Sequence, residues 1–201
     1  MSLARLLQLA SPALPVGAYS YSQGLEAAVE AGIVRDAESA ERWIGDVLEF
    51  SVAPMEGAVV LAQMAGENLN EMFLASRETA ELRAETLQMG YSLCRLLGEL
   101  GTEDVPQGEV AFPVAFAFAA KAWAIEPQEA VQAYLWSWVE NQVMAALKAV
   151  PLGQTAGQRM LLALGEKIST LEIEDELRNF APGLAVLSSR HETQYSRLFR
   201  S

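Results

Sequence analysis

Apolar positions recur at helical spacing along most of the chain, and alternating strand-like runs joined by hairpin dipeptides are absent. The clearest amphipathic stretch is 77–100. It sets Leu82, Met89, Leu93, Leu96 and Leu100 on one stripe, with Gly101 placed to stop it. Residues 110–124 are apolar on nearly every face, the pattern of a central helix enclosed by others. Pro127 suits the first turn of the next helix, which carries Val131, Leu135, Trp138 and residues 147–150. Pro151 and Gly153 then break the chain before a helix over 154–167. Upstream, after Pro12 and Pro15, a short helix is expected from about 20 to 31, closed by Gly32. Asp36 or Ser39 caps a helix carrying Trp43, Val47 and Phe50, and Pro54 kinks or ends it before 59–64 resume. Residues 102–108 and 179–183 read as loops, while 189–201 is polar and basic and its order is left open. With no internal repeat and no low-complexity segment, the expected architecture is one all-α, multi-helix domain over 1–201.

Composition narrows this picture. At 201 residues, 51% hydrophobic and 20% charged, the chain can bury a sizeable core without disulfide or metal. Cys94 is the single cysteine, so no intrachain disulfide exists, and a reducing compartment fits. The longest apolar run, 110–120, contains Pro113 and stops at Lys121, too short for a membrane span of about 20 residues. Gln8, Ser11, Pro12 and Pro15 break up what a signal sequence would need, so we expect a soluble cytoplasmic protein. A net charge of -12 argues against nucleic acid as partner.

Self-sufficient chemistry is hard to build from these residues. His191 and Cys94 are the only histidine and cysteine, and HExxH and CxxC patterns are missing, so no intrachain metal or other cofactor is expected. A site shared between two copies through His191 stays open. Neither GxxxxGK[ST] nor GxGxxG occurs, and Gly153-Gln-Thr-Ala-Gly157 lacks the lysine of a phosphate loop. The nucleophile elbow GxSxG is also absent. Glu81 and Glu85, at i and i+4, read as a solvated face rather than an acid–base pair.

Two regions stand apart. The first, 14–26, concentrates hydroxyls, glycines and an acid around a helix start, where Ser20 or Ser22 serves as cap or as something more. The second is the tail. From Arg190 onward it holds three Arg and one Glu, a formal +2, with Tyr195, Leu198 and Phe199 interleaved as apolar anchors. Composition does not choose between a tail folded onto its own acidic body and one that docks a partner.

Four motifs, in order, resemble the UreF family of urease accessory proteins. They are Ala10-Ser-Pro-Ala-Leu-Pro-Val-Gly-Ala-Tyr-Ser-Tyr-Ser-Gln-Gly-Leu-Glu26, Arg83-Ala-Glu-Thr-Leu-Gln-Met-Gly90, Lys148-Ala-Val-Pro-Leu-Gly-Gln154 with Gln158-Arg159, and Ser189-Arg-His-Glu-Thr-Gln-Tyr-Ser-Arg-Leu-Phe-Arg-Ser201. The resemblance implies an all-α homodimer that is not an enzyme. It implies a scaffold joining UreD/UreH and the GTPase UreG to apo-urease for nickel insertion, with modulation of the GTPase a stronger version. It also implies a partner-docking tail, 189–201, through Arg190, His191, Glu192, Tyr195, Arg197, Phe199 and Arg200. Glu26, Lys148, Gln154 and Arg159 are expected on a surface facing the GTPase. The competing expectation is an independent metal- or ligand-dependent helical enzyme.

Overall fold

A computed structural model of the chain describes residues 3–173 and 177–201. Its helices are α1 (Leu3–Ala10), α2 (Leu25–Glu30), α3 (Ala37–Val47), α4 (Ala58–Ala65), α5 (Asn70–Ala75), α6 (Ala80–Glu99), α7 (Phe112–Ala122), α8 (Pro127–Ala149), α9 (Gln154–Thr170) and α10 (Pro182–His191). A 3₁₀ turn, Ala18–Ser20, precedes α2, and a π-helical segment, Leu48–Gly57, joins α3 to α4. Among the described residues there is no strand, as the periodicity predicts, and no helix is long and apolar enough to cross a membrane.

The buried apolar helix expected over 110–124 is α7. Phe112, Val114, Ala115, Phe116, Ala117, Ala119 and Ala120 are all buried, and the helix packs against α1, α4, α6 and α8. Helix α8 is a second hub: it touches α1, α2, α3, α4, α7 and α9. Phe112 and Phe116 knit α7 to α8 through ring contacts with Tyr134, centroids 5.7 and 5.1 Å apart.

Several local expectations change. Helix α6 starts at its Thr79 cap, whose side chain accepts from Leu82 N, rather than at residue 77. Its buried stripe ends on Leu97, because the helical repeat from Leu93 lands there, and Leu100 is 54% exposed. Gly90 on α6 is required by close approach: a Cβ there would sit 2.0 Å from the Val110 carbonyl oxygen. Pro54 neither ends nor sharply kinks its helix. The backbone widens to the π register instead, and the Phe50 carbonyl, which an α-helix would pair with the N–H that Pro54 lacks, accepts from Phe180 N at 2.8 Å. The helix expected over 20–31 is two pieces, separated by Gln23 (φ 50°) and Gly24 (φ 76°) in left-handed conformation. Helices α1, α5 and α10 were not anticipated. The expected loop 179–183 ends early, because Pro182 takes the first position of α10.

Candidate functional site

The last stretch of the chain is folded onto its own body. Gly24 permits this: its positive φ turns the chain into α2, and the missing side chain lets α10 approach, since a Cβ there would lie 3.1 Å from Leu184 Cδ1. Helix α10 packs on α2 and α6, and residues 192–201 continue over a cradle of three carboxylates, Glu26, Glu81 and Glu85.

Glu26, at the first turn of α2, accepts from Leu198 N at 2.7 Å and Phe199 N at 3.0 Å. His191 is fully buried between two acids. Its Nδ1 lies 2.8 Å from Glu81 Oε2 and its Nε2 3.2 Å from Glu26 Oε2. Arg197 pairs with Glu81 at 2.5 Å. Ser201 donates to Glu85 at 2.7 Å, and its carbonyl accepts from Ser22 N and Ser22 Oγ at 2.8 and 2.5 Å. Glu192 reaches the start of α6, accepting from Ala80 N at 2.9 Å and Glu81 N at 3.3 Å, where the helix dipole favours a carboxylate. Lys148, in the last turn of α8, sits 5.5 Å from the Phe199 ring and 5.9 Å from that of Tyr19.

Beside the cradle a cavity of about 200 Å³ opens beneath residues 11–16, and Glu85 lines both. Trp138 Nε1 donates to Gln23 Oε1, and Gln23 Nε2 donates to Glu85 Oε1, each at 2.7 Å. Burial pushes the Glu85 carboxyl up to about 7, against the hydrogen bonds from Gln23 and Ser201. Deeper in, Arg77 and Glu56 form a buried ion pair at 3.2 Å, and the Tyr134 hydroxyl donates to Glu56. Burial, reinforced by the Glu56 charge, holds the Tyr134 phenol well above its usual range.

The structure therefore sorts the candidate residues into two sets. His191 and Phe199 are buried within the fold, and so is Glu26, which binds the tail and does not lie on the outer surface that the resemblance implies. Arg190, Glu192, Arg197 and Arg200 are exposed, as is Tyr195, with Leu198 70% exposed beside them. Lys148, Gln154 and Arg159 are exposed, on the end of α8 and the first turns of α9. In this conformation buried His191 cannot be shared across an interface between copies. Among the described residues no group of three or more His, Cys, Asp or Glu side chains is arranged to hold a metal. The solvated reading of Glu81 and Glu85 is corrected. Glu85 is buried and Glu81 half-buried, because that face of α6 looks at the tail. Glu56, Arg77 and Tyr134 give no signal in the sequence pattern, since their pairing joins residues 21 or more positions apart.

Comparison with known proteins bears on the same chain. A family model described as UreF matches residues 34–165. The urease accessory protein UreF of Azoarcus sp. (strain BH72) is 57% identical over 225 aligned positions, covering 100% of this chain and 96% of that protein. That of Dechloromonas aromatica (strain RCB) is 56% identical, covering 100% and 98%, and that of Methylobacillus flagellatus 52%, again 100% and 98%. Matches of this identity and coverage show that the chain belongs to the UreF family of urease accessory proteins.

Proposed function

We propose that this protein is a non-catalytic scaffold of urease maturation. It joins a UreD/UreH accessory protein and the GTPase UreG to apo-urease for nickel insertion, working in the cytoplasm as a homodimer. Supporting the scaffold reading is the seated tail, whose buried anchors, His191, Phe199 and Ser201, fix a short segment that turns Tyr195 and Leu198 outward among Arg190, Arg197 and Arg200. An exposed aromatic and leucine on a segment with three exposed arginines, seated before contact, suit a protein interface because less ordering is left to be lost on binding. In this reading the UreD/UreH protein meets residues 189–201. The GTPase meets the surface of Lys148, Gln154 and Arg159, with modulation of its hydrolysis following from contact there.

The test leaves the cradle intact. The double substitution Tyr195→Ala with Leu198→Ala removes two exposed side chains and should abolish co-purification with UreD/UreH. Helical circular dichroism and Tm should stay at the wild-type values. A complex of unchanged yield would overturn the tail assignment.

A further inference from the structure

The cavity beneath residues 11–16 is lined by a buried arginine. Arg77 lines it with its side chain only 7% exposed. The guanidinium lies over the Phe73 ring, 4.3 Å from the centroid, and Nη1 binds Glu56. Nε and Nη2 are buried and have no hydrogen-bond partner. Those two nitrogens form the side-on edge of the guanidinium, a pair of near-parallel N–H donors whose complement is a planar group with two acceptor oxygens. The nearby acids are already engaged: Glu56 accepts from Tyr134, and Glu85 accepts from Gln23 and Ser201. Above Arg77 the walls are largely apolar, formed by Leu9, Leu14, Met89 and Phe112, and exposed Lys148 stands at the rim with half-buried Glu140.

We propose that this cavity binds a small monocarboxylate with a short aliphatic chain, its two oxygens on the Nε–Nη2 edge of Arg77 and its chain against the apolar wall. Arg77 is pre-positioned by Phe73 and Glu56, Lys148 favours entry of an anion, and an uncharged occupant would leave the edge poorly matched. Glu85, with its carboxyl raised to about 7, does not stand as a full second negative charge near neutral pH. This inference goes beyond the scaffold reading, and neither depends on the other.

The experiment titrates the intact chain with sodium butyrate and follows the indole N–H of Trp138 by ¹H–¹⁵N spectroscopy, with the peak assigned through Trp138→Phe. Controls are sodium chloride at matched ionic strength and butyramide, the neutral isostere. Butyrate should give a saturable shift that chloride does not give, with butyramide weaker by about tenfold or more. Arg77→Lys keeps the charge and removes the fork, so affinity should fall by a similar factor. Should that variant fail to fold, Ser137→Leu fills the cavity from α8 without touching Arg77 and should abolish the shift. No saturable shift, a cavity holding water alone, would overturn the proposal. So would butyramide binding as well as butyrate, or undiminished binding in Ser137→Leu.

Discussion

Replacing Glu26 with alanine tests whether the carboxylate cradle holds the tail. Glu26 accepts from Leu198 N and Phe199 N and is hydrogen-bonded to His191 Nε2, all within 3.2 Å. Hydrogen bonds to a charged acceptor contribute roughly 1.5–3 kcal/mol each, so three lost together would cost about 5–9 kcal/mol if the donors stayed buried and unpaired. They need not stay. The 192–201 segment has no regular secondary structure, and releasing it frees backbone and side chains, which offsets much of that penalty. The cost is therefore capped near the docking free energy of the segment itself. One buried phenylalanine, Phe199, at about 2 kcal/mol and a few net hydrogen bonds, less the ordering entropy, put that near 3 kcal/mol. Native-state hydrogen exchange should show the Leu198 and Phe199 amides losing protection, while those of α7 and α8 lose far less. Denaturant unfolding should report a loss of roughly 3 kcal/mol or less. Retained protection at Leu198 and Phe199, with unchanged stability, would refute the claim that Glu26 holds the tail.

Two further outcomes follow from the same geometry. The Glu85 carboxyl is raised in the fold from 4.5 to about 7, so its contribution to stability is complete below pH 4.5 and is lost as pH rises through about 7. The loss is roughly 3 kcal/mol by the usual 1.36 kcal/mol per pKa unit, and Glu85→Gln should flatten the stability profile between those pH values in urea titrations. An identical slope in variant and wild type would show that Glu85 is not the group responsible. Gly90→Ala drives a Cβ to 2.0 Å from the backbone oxygen of Val110, so α6 and the segment that leads into α7 must separate. A loss of at least about 2 kcal/mol is expected in thermal or chemical unfolding, and a neutral result would mean that α6 and the Val110 backbone are less closely apposed.

How much of this was legible in the sequence depended on where the signal lay. Helices α3 and α6–α9 could be read because their stripes are long and bounded by proline, glycine or capping residues. Helix α5 has six residues, too few for a periodic pattern, and α10 starts on Pro182-Gly183, a pair that looks like a breaker until the proline is recognised at the first helical position. The π segment was hidden for a tertiary reason, since its register answers Pro54 with help from Phe180 far along the chain. The site followed the same division. The tail's mixture of arginines and apolar anchors was visible, but its receptor was not. Two acids at i and i+4 look the same in sequence whether water or residues 188–201 face them.

The sequence separation of cradle and tail bears on how a partner would act. Glu26, Glu81 and Glu85 lie in the first half of the chain and their ligands in the last eleven residues, so the bonds span 110 to 173 positions. Such contacts close large loops and form after the helices they join. They are also mostly buried, which protects them from salt that would screen exposed pairs. A partner that removes the tail from its cradle must therefore offset the loss of the Glu26 bonds to the Leu198 and Phe199 amides and of the buried Phe199 contact. It would leave Glu26 and Glu85 uncovered on an already acidic body. A partner that binds the seated tail needs only to cover Tyr195 and Leu198 and to match the exposed arginines. The second route demands less of the partner, and it predicts that the Leu198 and Phe199 amides stay protected from exchange in the complex.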